Sequence, residues 1–277
     1  MSDRCIELTD RRVLVLSGED RKTFLQGLIT NDVEKITGET WLYAGLLTPQ
    51  GKYLHDFFLT EEGESLLMDC AASQQEALVR KLTLYKLRSK VDITASDKTL
   101  FAHWSDDATY DDDTWQDPRH PAMGKRTFSG TANAAMEDYE THRLDLGIPD
   151  GPRDFLQDKT LWLETNADLL NGVDFNKGCY VGQELTARMR YRGKVRRRLI
   201  RVRSDAAIPP ATPIYLSERE IGDVRTSAGN TALANLKVED LEKGPLTAAG
   251  VAITPSPQDW LAPIIAAHKD KAEANGA

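Results

Sequence analysis

The sequence predicts an α+β fold that ends, at the C-terminus, in a small β-barrel or sandwich of about 70 residues. Three observations carry this. The first hundred residues mix strands and helices without the regular alternation of a doubly wound parallel sheet. After Arg198 the chain breaks into short runs rich in Val, Ile, Thr and Tyr, with turn residues at intervals near ten. Between these parts lie an acidic stretch, one further helix and a dense basic segment. At 277 residues the chain is long enough to bury a core without disulfide staples.

The elements follow in order. "RRVLVLSG" is an apolar run and reads as a strand. "SGEDRKTFLQGLIT" reads as a helix, with Ser17 and Asp20 as its start signal and Phe24, Leu25, Leu28 and Ile29 on one face. Residues 41–48, 52–60 and 64–70 read as three strands, separated by the turn-like "TPQGK" and "EEGE". A second helix starts near Ser73, with Leu78, Leu82 and Tyr85 as its stripe. Residues 90–104 read as a pair of strands around "SDK". The stretch 105–118 carries six Asp residues and reads as a solvated acidic loop. Residues 134–147 read as a helix stopped by "LGIPDG". "LIRVRSD", "TPIYLSE", "EIGDVRTSA", "TALANLKVE" and "GVAITPS" supply the strands of this barrel or sandwich, and the last dozen residues read as a polar tail. The expected parts are 1–104, 105–195 interleaved with it, and 196–277.

Composition narrows the function. A formal net charge of −8 argues against general nucleic-acid binding, which needs a basic surface. Cys5, Cys70 and Cys179 are odd in number, far apart and without metal-ligand spacing, so a reducing compartment is expected. Three scattered thiols do not supply the usual four ligands of an iron–sulfur cluster. No run of 18 apolar residues is present, so no membrane partner is expected. "MSDRCIELTD" lacks a leader pattern, and a cytoplasmic protein, of bacterial type, is the expectation.

The densest signal is "NKGCYVGQELTARMRYRGKVRRRL", residues 176–199, which packs eight Lys or Arg around a cysteine, seven of them behind it. Gly178 and Gly182 allow tight turns, or simply mark a bulge. Gln183 and Glu184 place an amide beside a carboxylate, which suits a heterocycle offering neighbouring N–H groups. Cys179 is either a small buried hydrophobe or a reactive thiol, which Lys177 and the following arginines would favour as thiolate. On a strand, Arg188, Arg190 and Arg192 would line one wall and clamp carboxylates or phosphates; otherwise the run is a solvated face.

"KGCYVGQE" resembles the K-G-C-[YF]-x-G-Q-E signature of YgfZ-type folate-binding proteins, relatives of the glycine-cleavage T-protein aminomethyltransferase. That group includes a mitochondrial factor needed to mature iron–sulfur enzymes. "FLQGLITNDV", "LLTPQGKYLHDFFL" and "HRLDLGIP" resemble further family segments, so the resemblance covers most of the chain. It implies a three-domain ring with a C-terminal β-barrel and tetrahydrofolate in a central channel. Asp145 falls where the transferase places an acid near the pterin. Asn31, Asp56, Arg143, Lys177, Tyr180, Gln183, Glu184, Arg188 and Arg190 are the further folate-site candidates. In the hairpin, His55–Asp56 keeps one acid of the transferase's pair, and His55 is as readily a surface residue as a site residue.

The expected function is a tetrahydrofolate-binding factor supporting assembly or repair of iron–sulfur clusters in client enzymes, with Cys179 acting from the channel rim. Its expected partners are folate and iron–sulfur client or assembly proteins. Two alternatives stand beside it. One is a folate-dependent aminomethyl or one-carbon transferase using Asp56. The other is a binding module whose basic face, with Arg190 and Arg192, docks a partner or RNA.

Overall fold

A computed structural model describes residues 3–105, 114–193 and 195–267. The strands are β1 (Arg4–Glu7), β2 (Arg11–Ser17), β3 (Leu42–Leu47), β4 (Tyr53–Glu62), β5 (Ser65–Ala71), β6 (Asp92–Ala95), β7 (Phe101–Trp104), β8 (Lys125–Thr127), β9 (Arg197–Ser204), β10 (Pro213–Leu216), β11 (Arg219–Ala228), β12 (Thr231–Lys237), β13 (Leu246–Ala248) and β14 (Val251–Pro255). The helices are α1 (Arg21–Gln26), α2 (Gln75–Lys86), α3 (Met136–Leu146), α4 (Gly151–Asp154) and α5 (Gln183–Tyr191).

An antiparallel five-stranded sheet in the order β3-β4-β5-β2-β6 forms the first unit. Both of its faces are covered, and β4 is buried along most of its length, His55 and Asp56 included. Side chains alternate across a strand. Phe57 and Leu59 therefore pack with Phe24, Leu25 and Ile29 around α1, and with Leu78 and Leu82 of α2. Phe58 between them packs on the opposite side with Trp162, Tyr139 and Phe155. The helix expected over 17–30 is only six residues long, because the chain turns at Gly27; its apolar face is buried as expected.

The strands expected as a pair in 90–104 belong to different sheets. β6 extends the five-stranded sheet, whereas β7 lies between β1 and β8 in a second sheet. The short β1 and β8 were not foreseen. β9 to β14 close a barrel in the order β10-β11-β12-β9-β14-β13, and its core includes Ile200, Val202, Ile214, Val224 and Leu236.

Paired charges fill the junction of the three units. Arg11 Nε on β2 donates to Asp69 Oδ1 on β5 at 2.7 Å, and Arg126 on β8 pairs with the other Asp69 oxygen. Arg126 also reaches Asp117 at 3.3 Å, and Arg119 forks onto Asp117 at 2.7 and 2.9 Å. Phe58 lies among these cations, with Arg126 Cζ 3.9 Å and Arg119 Cζ 4.9 Å from its ring centre. Arg143 Nη1 on α3 donates to Asp154 Oδ2 on α4 at 2.9 Å. The barrel joins through Thr226 Oγ1, which donates to Asp154 Oδ1 at 2.7 Å. Asp117 thus departs from the expected solvated loop, because two guanidinium groups hold it inside. The other five Asp residues of that stretch lie outside the described residues.

Candidate functional site

The cysteine sits on a turn fixed from both sides. On its N-terminal side, Lys177 is buried and its side chain runs inward past the Tyr180 ring. The ammonium donates to the carbonyl oxygens of Gln26 (2.8 Å), Ile29 (2.7 Å) and Asn31 (2.8 Å). An ammonium has three donors, and all three are used. These acceptors belong to the end of α1 and the turn after it, where helix carbonyls lack partners and a cation is favoured. Burial pushes the Lys177 ammonium down to about 8, while Asp32 and Asp174 oppose the shift.

On the C-terminal side, Gly182 starts α5 at φ +86°, a conformation that favours glycine. A Cβ there would lie 2.6 Å from the Thr48 carbonyl oxygen, so the "VGQE" turn abuts the hairpin turn "TPQG" directly. Thr186 Oγ1 donates back to the Gly182 carbonyl at 2.9 Å. Between these anchors Cys179 is exposed, whereas Cys5 and Cys70 are buried. Burial raises both inner thiols, Cys70 to about 12.

The basic segment is a helix, not a strand, which corrects the single-wall arrangement of Arg188, Arg190 and Arg192. Successive helical residues turn by about 100°. Glu184 and Arg188 are exposed on α5, and Arg192 is exposed just past its end. Arg190 projects elsewhere: its guanidinium lies 5.4 Å from the Phe175 ring centre and 3.8 Å from Asp168 Oδ2. Glu184 at the start and Arg188 and Arg190 at the end match the helix dipole.

Beside this turn opens a cleft of about 690 Å³, within the range of small-molecule sites. Trp41, Tyr43, Phe175 and Tyr191 supply aromatic surface, and Asn31, Asn171, Asn176, Lys35, Asp174 and Arg190 supply polar groups. Of the expected cofactor residues, only Asn31 and Arg190 line it. Asn31 is already engaged, its amide donating to the carbonyls of Tyr43 and Asn171.

The other candidates lie elsewhere. Asp145 does not line the cleft; it is half-exposed on α3 and pairs with Arg203 of β9 at 2.9 Å. Arg143 is fully buried in the ionic junction, between Glu140 and Asp154. Asp56 is buried, accepting from Tyr53 (2.9 Å) and Tyr43 (3.2 Å); burial raises its carboxyl, with Arg11 opposing. His55 is also buried and faces Gln74 at 3.1 Å. Tyr180 is buried under the loop, Gln183 half-buried, and Glu184 and Arg188 exposed. Lys177 has no donor left for a cofactor.

The carboxylate that does face the cleft is Asp174, which sequence reasoning missed. It is held low by the Lys35 ammonium at 2.5 Å and by the Asn176 N–H at 2.8 Å, against the upward push of burial. Its signal was its place: "DFN" directly precedes Lys177 and brings Asp174 and Phe175 to the cleft together. Among the described residues, no group of three His, Cys, Asp or Glu is placed to hold a metal.

This arrangement of units is that of an aminomethyltransferase fold. The chain superimposes on glycine cleavage system aminomethyltransferase T from Bartonella henselae with a TM-score of 0.74, covering 93% of this chain and 86% of that one at 13% identity. Residues 196–263 match the family model of the CAF17 C-terminal beta-barrel domain. The chain is 32% identical to human "Iron-sulfur cluster assembly factor IBA57, mitochondrial", over 92% of this chain and 85% of the relative. It is 34% identical to the Neurospora crassa homologue, over 70% of this chain and 52% of the relative, so it spans about half of that protein's length. The chain belongs to the IBA57 family. The expected cytoplasmic location does not stand: relatives from Neurospora crassa, Homo sapiens and Mycosarcoma maydis are named mitochondrial, pointing to the mitochondrion.

Proposed function

We propose that this protein is an iron–sulfur cluster assembly factor in which Cys179 is a transient ligand for a cluster in passage. The observation that carries this is one exposed thiol on a doubly anchored turn, with the other two cysteines inside the core. Iron–sulfur clusters take several thiolates. A chain offering one must share the cluster with a second molecule, and this makes it a handover factor rather than a resident holder. The names of its relatives support the assembly-factor part of this reading.

The YgfZ-type part of the proposal is that the cleft takes tetrahydrofolate. The aromatic walls fit a flat reduced pterin. Asp174 is the carboxylate at hand for its amino edge, and Arg190, with its side chain 46% exposed, is the cation for the glutamate tail. A transferase role for Asp56 fits less well, since two tyrosine hydroxyls enclose that carboxyl away from the cleft.

The test is anaerobic transfer of a [2Fe–2S] cluster held by glutathione to the purified protein, followed by visible absorbance. Cys179→Ser is expected to abolish uptake, whereas Cys5→Ser keeps it; equal uptake by Cys179→Ser refutes the ligand role. Tetrahydrofolate titration checks the cleft separately. Arg190→Ala is expected to weaken binding about tenfold, the loss of one charge-assisted contact of roughly 1.4 kcal/mol.

A further inference from the structure

The outer surface of α2 breaks two local rules at once. Among the described residues, four large apolar side chains are largely exposed, and two of them, Leu84 and Leu87, stand three residues apart at the end of this helix. Leu87 is 88% exposed and has φ +46° and ψ −106°. Glycine is the usual residue where a helix ends with positive φ, because a Cβ is unfavourable there. Leu87 therefore gains nothing from solvent and nothing from its backbone. Such violations without compensation inside the fold mark functional surfaces.

The surroundings define what would cover the two leucines. Glu76, Arg80, Leu84, Leu87 and Arg88 fall on one exposed stripe. Residues 80–90 carry five cations. Lys86 is paired with Asp92 and Lys90 with Glu19, and Lys81 lies over the Tyr85 ring. Arg80 and Arg88 meet no carboxylate at ion-pair distance among the described residues. Beside the stripe, a groove of about 420 Å³ runs between α2 and β6, lined by Leu14, Val79, Ile93 and Arg80. β6 is the last strand of its sheet, and its outer edge has no ladder partner among the described residues.

We infer that this stripe is a docking surface for a partner protein presenting an apolar pocket rimmed by carboxylates. The leucines enter the pocket, and Arg80 and Arg88 meet its acidic rim. An apolar anchor within complementary charge is the usual composition of such a contact. The surface is independent of the cleft and of Cys179, so it does not depend on the function proposed above.

The test places the photocrosslinker p-benzoylphenylalanine at position 84 or 87 of the full chain in cells, with the same probe at exposed Glu218 as background. The expected result is an adduct at both positions with one protein, through a segment carrying Asp or Glu around apolar residues. That protein, purified, binds the chain at least tenfold more weakly after Leu87→Gly, which relieves the backbone and leaves the melting temperature unchanged or higher. The surface pair Arg80→Glu and Arg88→Glu gives the same loss and serves if Leu87→Gly does not fold. Adducts no stronger than at position 218, adducts to lipid, to RNA or to a second copy of this chain, or binding indifferent to these substitutions, overturn the inference.

Discussion

Replacing Lys177 by methionine keeps the length of the side chain and removes its three donors. The carbonyls of Gln26, Ile29 and Asn31 then lose their shared partner. A hydrogen bond to a charged group contributes about 1.5–3 kcal/mol, and burying the ammonium costs several kcal/mol in return. The net loss expected is about 3 kcal/mol, read as a shift in the urea midpoint at pH 7. Since Lys177 ties the cysteine turn to the end of α1, amide exchange is expected to quicken at residues 27–32 and 176–182. Cluster uptake is expected to fall although Cys179 is intact. The pH dependence has a definite sign. The folded-state value of about 8 lies below the usual lysine value of about 10.4, so between them the unfolded chain holds the extra proton. The stability of the native protein relative to Lys177→Met therefore rises from pH 8 towards pH 10. A loss under 1 kcal/mol at pH 7, with exchange at both segments unchanged, refutes the anchoring role.

Native protein is expected to alkylate at one thiol, Cys179, and at all three after unfolding; mass spectrometry of iodoacetamide adducts counts them. Gly182→Ala forces a Cβ against the Thr48 carbonyl and a disfavoured φ, and is expected to cost about 2–4 kcal/mol in thermal or urea unfolding. Asp117→Asn leaves Arg119 and Arg126 short of a buried counter-charge and is expected to cost about 3–5 kcal/mol at pH 7. Arg119 and Arg126 hold the Asp117 carboxyl low against its burial, so its contribution is present above the usual aspartate value of about 3.9 and fades as pH falls through its folded value. The Asp117→Asn difference should accordingly shrink in urea melts taken from pH 5 down to pH 3.

The α+β class and the all-β C-terminal part were legible because each rests on periodicity, while the choice of barrel over sandwich came from the family resemblance. β4 shows why the reading worked and where it stopped. Its Phe57-Phe58-Leu59 triplet marks a strand buried on both faces, yet only tertiary structure tells which residues meet α1 and which meet Trp162. The basic segment misled for a related reason. Every second residue from Arg188 to Arg192 is arginine, which imitates a strand, while Glu184, Leu185 and Met189 carry the helical spacing that decides. The KGCYVGQE residues position the cysteine turn, and none of them lines the cleft. Lys177 and Tyr180 are turned inward and Gly182 is an obligatory turn. No local pattern could show that Asp145 faces the barrel, or that Asp174 faces the cleft, because both placements come from contacts distant in sequence.

A distribution of charge follows from this placement. Asp69, Asp117, Asp150, Asp154, Arg11, Arg119, Arg126 and Arg143 are consumed in the junction of the three units, where buried pairs satisfy one another and fix how the units meet. Replacing such pairs by apolar residues often costs little, so their use here argues for specificity of docking more than for stability. With the junction neutralised internally, the exposed cations of α5 and α2 are available to another molecule. One set adjoins the exposed thiol and the cleft, and the other surrounds the two leucines of α2. In a chain of net charge −8, the contacts proposed for these two basic surfaces call for particular acidic partners rather than polyanions in general.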